Sequence, residues 1–228
     1  MRLNLNTYPA QFAPQKPQQQ VSPEVLFALL AKGAYVTKKY NGHRIHILKG
    51  DRSVRIFSRN GKLEWTACLP LLVAELEALD ILPHSFIDAE VYVPSVDGRI
   101  ESTIVLQSIV NSGDAAMGAR FEASLLPRLA VFDILVRDGI KVYLLPLRSR
   151  LDFLSSLVLS VRVHRAEEVT ISSYEQALAL VKAAGWEGLV AADLAAPHKV
   201  NLNGNTKRGE SFKLKARFDE EFLVIASE

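Results

Sequence analysis

A single cysteine, Cys68, leaves the sequence unable to build an intramolecular disulfide framework or a cysteine-cluster zinc site. That usage fits a reducing compartment. Also missing is any apolar run near the ~20 residues that cross a bilayer. The stretch LLVAELEALDIL is broken by carboxylates, and no apolar signal core opens the chain. These absences predict a cytoplasmic protein away from membranes. A one-sided charge is lacking too. With a net charge of +2, any affinity for nucleic acid has to come from local clusters of cations rather than from the overall field. No internal repeat appears at periods of roughly 20–50 residues, which sets solenoids and propellers aside.

What is present is an ordinary globular composition, 49% hydrophobic and 23% charged over 228 residues, enough for one large domain with a real core. Residues 1–21, with the Pro- and Gln-rich YPAQFAPQKPQQQ, read as an extended lead-in segment, and residues 22–228 as the domain proper. Ser22-Pro23-Glu24 opens a helix that Gly33 closes. From Ala34 to Thr66 the chain reads as strands with turns at Lys49-Gly50-Asp51 and Asn60-Gly61. Further helices are expected at 70–79, 102–110, 147–157 and 174–184. Strands are expected at SFIDAEVYV, RLAVFDILV, 161–171, 188–192, 211–216 and 222–225. Helices spread among strands without regular alternation predict an α+β fold, antiparallel β-sheets flanked by helices.

The local feature richest in chemistry is Lys39-Tyr40-Asn41-Gly42-His43-Arg44, between one strand and the next. A lysine there serves as a nucleophile once its amine is deprotonated, which desolvation and neighbouring cations favour. Gly42 allows close backbone approach to a ligand, and Arg44 offers a fork for phosphate or ribose oxygens. Lys213 and Lys215 alternate with Leu214, so both can face one pocket and offset oxyanion charge. Glu90 stands inside an apolar strand, where burial is costly without a cation partner. Glu90 and Glu187 are hard oxygen ligands suited to Mg²⁺. From His198 to Lys215 the chain gathers Lys199, Lys207, Arg208, Lys213 and Lys215 against the single acid Glu210, a basic stretch that reads either as a solvated loop or as a cation cluster for nucleic acid. His43 and His46 are three apart on one strand, so they point to opposite faces, as strand-surface or DNA-facing positions rather than metal ligands. Taken singly, most of these residues also have structural readings: Phe132 as core, Glu187 at a helix exit, paired lysines guarding an edge.

In order along the chain, Lys39-x-x-Gly42-x-Arg44, Ser58-Arg59, Asp88-Ala89-Glu90, the strand around Phe132, Glu187-Gly188 and Lys213-Leu214-Lys215 resemble the covalent nucleotidyltransferase superfamily, and within it the ATP-dependent DNA ligases. Leu106-Gln107, Asp138-Gly139, Pro146-Leu147-x-x-Arg150 and the terminal FDEEFLVI are softer matches to the ligases. The resemblance implies a ligase-type, ATP-grasp-like adenylation domain in which Lys39 takes AMP from ATP with Mg²⁺ and passes it to the 5′-phosphate of a nick. It implies nucleotide contacts from Thr37, Lys38, Tyr40, Arg44, Arg59, Glu90, Phe132, Glu187, Lys213 and Lys215, with Phe132 stacked on adenine. Metal ligation falls to Glu90 and Glu187, and nucleic-acid contact to Arg59, Lys199, Lys207 and Arg208. The implied partners are nicked double-stranded DNA and a separate OB-fold domain or subunit, around a monomeric chain. In the family an OB-fold domain follows this one, and the sequence stops at Glu228, where it would begin. Three positions depart from the ligase pattern: Thr37 and Asn41 stand where the family usually has Glu and Asp, and Ala89 where it has Gly. An RNA ligase and a non-catalytic nucleotide- or nucleic-acid-binding module are the alternative readings.

Overall fold

The computed structural model describes residues 15–94, 106–107, 109–110, 113–199 and 208–215. The elements run β1 (Lys16–Gln20), α1 (Pro23–Ala31), β2 (Tyr35–Lys39), β3 (His43–Lys49), β4 (Val54–Ser58), α2 (Pro70–Ala78) and β5 (Ser85–Tyr92). They continue with α3 (Ala115–Leu125), β6 (Arg128–Arg137), β7 (Ile140–Lys141), α4 (Leu147–Ser155), β8 (Val163–Arg165), α5 (Tyr174–Ala184), β9 (Gly188–Ala192) and β10 (Arg208–Lys215). Their local causes follow the sequence. Ser22 caps α1 by accepting from the Val25 amide at 3.3 Å, and Gly33 ends the turn after it at a φ of +79°. Ser173 caps α5 in the same way, and Gly185 closes it at a φ of +63°.

The strands build two sheets, one ordered β1-β10-β9-β2 and one ordered β4-β3-β5-β6-β7, with β8 also paired to β6. Their pairings are antiparallel except β1 with β10 and β6 with β8. In the smaller sheet Val36, Leu189, Ala191 and Leu214 pack against Leu26 and Leu29 of α1 and Ala177 and Val181 of α5. In the larger sheet Ile45, Ile47, Ile56, Ile87, Ala89 and Val131 pack against Leu72 and Leu76 of α2, with Phe121 of α3 against the same core. Because side chains alternate along a strand, the opposite faces of both sheets are left to line one cleft. The helices pack on the outer faces and the cleft lies between the sheets.

Several expectations are amended here. Lys16–Gln20, within the stretch read as an extended lead-in, forms β1. Between 161 and 171 the one strand is β8, with a further single bridge from Glu168 to Thr37. The Asn60-Gly61 turn forms, with the Ser58 amide donating to Leu63 O at 2.8 Å, but pairing beyond it is a single bridge, Phe57 to Glu64. Of the expected 102–110 helix, Leu106, Gln107, Ile109 and Val110 are described and helical, while the expected strand 222–225 lies outside the described residues. Helix α3 was not foreseen. Among the described residues no helix is long and apolar enough to cross a membrane.

His46 is not a surface position. It is fully buried beside Phe86 at a ring-centroid distance of 4.7 Å, and among the described residues neither ring nitrogen has a hydrogen-bond partner. Desolvation pushes its pKa down to about 4, against the pull of Asp88. A base whose pKa is lowered on folding contributes stability above its unfolded value near 6.5, and loses it as pH falls toward 4. We expect His46→Leu to lose about 3 kcal/mol less unfolding free energy than the parent between pH 7 and pH 4. Denaturant titrations at both pH values measure it, and equal losses in the two proteins would contradict the assignment.

Candidate nucleotidyl-transfer site

The cleft between the sheets holds about 640 Å³, within the range of nucleotide-sized ligand sites. Its smaller-sheet wall is set by register. Lys39, at the end of β2, lies opposite Gly188 of β9, and Gly188 lies opposite Lys215 of β10. One step inward the row reads Thr37, Val190, Lys213. Glu187, just before the Lys39 row, joins its two lysines: one carboxylate oxygen pairs with the Lys39 ammonium and the other with Lys215 at 2.5 Å. Burial pushes the Glu187 carboxyl up, but Lys39 and Lys215 more than offset it and hold the pKa below its usual value. Gly188 is required here, since a Cβ would stand 2.0 Å from Leu214 O.

The larger sheet supplies the opposite wall. Glu90 on β5 lines the cleft, and desolvation pushes its pKa up to about 7 against the pull of Lys39 and Arg44. Phe132 also lines it. In the β5–β6 register Asp88 pairs with Asp133 and Ala89 with Val131, so Phe132 is the extra residue of a bulge, and Phe132 and Asp133 both border the cleft. Arg44 lies with its guanidinium 5.3 Å from the Phe132 ring centre. Its fork is held by Asp88, with Nε donating at 2.8 Å and Nη2 to the second carboxylate oxygen, while Nη1 donates to Gln15 O at 2.6 Å.

Arg59 is exposed at the rim of the same cleft. Tyr40 is buried, and its hydroxyl accepts from the Glu167 amide at 3.1 Å. The Lys38 ammonium lies over the rings of Tyr40 and Trp186, at 4.9 and 5.5 Å. Lys199 is exposed, with its amide held by the Gln15 side chain at 2.7 Å. Lys207 and the side chain of Arg208 lie outside the described residues.

The structure therefore brings Thr37, Lys38, Lys39, Tyr40, Arg44, Arg59, Glu90, Phe132 and Lys213 to one cleft, with Glu187 and Lys215 ion-paired to Lys39 at its edge. The direct partner of Lys39 is a carboxylate, Glu187. Gly42 lines the cleft and also packs closely on protein backbone, where a Cβ would lie 2.1 Å from Val91 O. Sequence reasoning missed Asp88 as the holder of Arg44. It also missed the floor of the cleft, where the Arg150 guanidinium donates to Asp133 at 2.7 and 3.0 Å and His198 Nδ1 sits 3.1 Å from the same carboxylate. Buried Asp133 and Arg150 are fixed by each other, so this floor is rigid. The only sequence signal for it was the Pro146-Leu147-x-x-Arg150 pattern.

A family model described as the ATP dependent DNA ligase domain matches residues 14–215. A probable DNA ligase of Sorangium cellulosum (strain So ce56) is 30% identical over 191 residues, covering 83% of this chain and 34% of that protein. The chain thus spans about a third of that relative's length. Among solved structures, the ligase domain of M. tuberculosis LigD superposes with a TM-score of 0.65 at 22% identity, over 90% of this chain and 60% of that one. Mycobacterial DNA ligase D complexed with ATP and MES gives 0.64 at 21%, with the same coverage. These likenesses bear on the fold. With the family model spanning most of its length, the chain belongs to the ATP-dependent DNA ligase domain family.

Proposed function

We propose that this domain uses ATP to adenylate Lys39 and transfers the AMP to the 5′-phosphate of a nick in duplex DNA. The observation that carries the reading is the row Lys39, Gly188, Lys215 with Glu187 spanning its two lysines at the mouth of the cleft. In the first step the Lys39 amine attacks the α-phosphorus of ATP, an N–P bond forms, the bond to pyrophosphate breaks, and the amine gives up a proton. Lys213 and Lys215 offset charge on the phosphate oxygens. Phe132 stacks on adenine with Arg44 behind it, and Thr37, Lys38 and Tyr40 border the nucleotide. In the second step a 5′-phosphate oxygen, gripped by Arg59, attacks the AMP phosphorus and releases Lys39. The adjacent 3′-hydroxyl then displaces AMP and closes the strand.

Glu90 and Glu187 fit a divalent cation of the magnesium type, which takes one or two carboxylates and completes its shell with water and phosphate oxygens. Desolvation disfavours the charged form of Glu90, and the negative field of Glu187 adds to that, so a cation beside them relieves both. Such an ion would supply charge neutralisation at the phosphates.

Incubation with α-labelled ATP and Mg²⁺, followed by denaturing electrophoresis, tests the reading. A covalent band is the expected result, and its absence with every nucleoside triphosphate would overturn it. For DNA, affinity rests on local cations: Arg59, Lys199, Lys207 and Arg208. Each phosphate neutralised steepens the log–log salt dependence by about 0.9. Neutralising Lys207 and Arg208 together should flatten that slope by up to about two units while leaving Lys39 adenylation intact. Anisotropy titrations of nicked DNA at several salt concentrations check this, and an unchanged slope would place the DNA-binding face elsewhere.

A further inference from the structure

We propose that Lys38 and Trp186 form a cation–π clamp that positions Lys39 and Glu187, which makes Lys38 a positioning residue for nucleotidyl transfer; the inference rests on the proposed adenylation of Lys39. Neighbours in extended chain point to opposite sides. Lys39 and Glu187 meet at the mouth of the cleft, and the residues just before them, Lys38 and Trp186, meet as well. The Lys38 ammonium is 5.5 Å from the Trp186 ring centre, 4.9 Å from that of Tyr40 and 6.0 Å from that of Tyr92, all within cation–π range. Two adjacent residues of one strand thus grip two adjacent residues leading into the next, once by ion pair and once by ammonium on ring.

Each part of the cradle is itself anchored. The Trp186 amide donates to Val181 O at 3.1 Å, which fixes the chain at the end of α5 just before Glu187. The Tyr40 hydroxyl accepts from the Glu167 amide at 3.1 Å. The Tyr92 hydroxyl lies 2.9 Å from His164 Nε2. His164 Nδ1 donates to Arg165 O at 2.7 Å, so Nε2 is the acceptor. The Lys38 amide donates to Glu167 O at 2.9 Å, and the Ala166 amide to Val131 O at 2.7 Å. The segment carrying these contacts therefore runs from the larger sheet to the smaller one. An ammonium set against three anchored rings restrains how β2 presents its last residue. Misplacing a reacting group by about an ångström costs up to ~100-fold in rate.

The test compares Lys38→Met, which keeps the stem and removes the charge, with Lys38→Arg, which keeps a cation over the rings, and with Trp186→Leu. Single-turnover formation of lysyl-AMP at saturating ATP, normalised to folded protein, should fall roughly 10- to 100-fold in Lys38→Met. It should fall similarly in Trp186→Leu, recover to within a few-fold in Lys38→Arg, and fall no further in the Lys38→Met/Trp186→Leu double variant. A second readout needs no activity. The two tryptophans give two indole N–H resonances, assigned with Trp65→Phe, and Lys38→Met should shift the one from Trp186. An unmoved Trp186 resonance overturns the clamp. A moved resonance with an unchanged adenylation rate overturns the positioning role. If the parent protein forms no lysyl-AMP, the functional reading fails instead, and the resonance still decides whether the clamp exists.

Discussion

Lys39→Ala should form no covalent adenylate at all, and Lys39→Arg should be equally inactive. The attacking group has to be a neutral amine carried to the α-phosphorus, and a guanidinium keeps its proton at any working pH. Neither change should unfold the protein. The Lys39 side chain is about one-fifth exposed, and its ion-pair partner Glu187 retains Lys215. Partly exposed pairs of this kind contribute about 1 kcal/mol or less. Labelling with α-labelled ATP alongside thermal melting measures both halves of the expectation. Normal labelling of either variant would remove Lys39 from the mechanism.

The next largest effects should come from Glu187→Ala and Lys215→Ala. Each should lower single-turnover lysyl-AMP formation by about 10²–10³, the loss that follows removal of one preorganised electrostatic group. The causes differ. In the proposed reaction Lys215 would offer positive charge where the phosphate oxygens gain negative charge. Glu187 pairs with Lys39 and, with Glu90, would provide oxygens for a cation. Lys215 is 46% exposed and Glu187 20% exposed, so melting temperatures should change little. A large loss of stability with unchanged specific rate would mean instead that the trio ties β2, β9 and β10 together and does no chemistry.

Much of this site was legible in the sequence because its parts lie on strands. Alternation alone placed Lys213 and Lys215 on the face opposite Leu214, and Leu214 is buried in the core beneath them. The order of Lys39, Glu90, Phe132, Glu187 and the late lysines was readable, and all of them meet around one cleft. Pairing across long separations was not readable. Lys39 and Glu187 are 148 residues apart, and nothing local says that Gly188 lies opposite Lys39. The bulge at Phe132 is a property of the β5–β6 register rather than of either strand, and the capture of Arg44 by Asp88 is a property of the β3–β5 register.

Helix α3 escaped for a different reason. Its buried positions include Gly118 and Glu122, which carry no apolar periodicity. Gly118 is there because a Cβ would stand 2.5 Å from Cys68 O. Glu122 is there because its carboxylate accepts the Leu71 and Leu72 amides at 2.7 and 2.5 Å, capping the start of α2 from outside. Strand β1 escaped because its Gln-rich sequence has no apolar pattern. Its last residue instead pairs through the Gln20 side chain, which donates to Lys215 O at 3.2 Å and accepts from the Lys215 amide at 3.0 Å. The segment that looked least structured thus braces the strand carrying Lys213 and Lys215.

Peptide mapping by mass spectrometry, after incubation of the protein with ATP and Mg²⁺, tests the central claim most directly. The account predicts one AMP-modified peptide, with the phosphoramidate on Lys39 and acid-labile as an N–P bond should be. Modification on Lys38, Lys213 or Lys215 in place of Lys39, or no modified lysine under conditions where nicks are sealed, would contradict it.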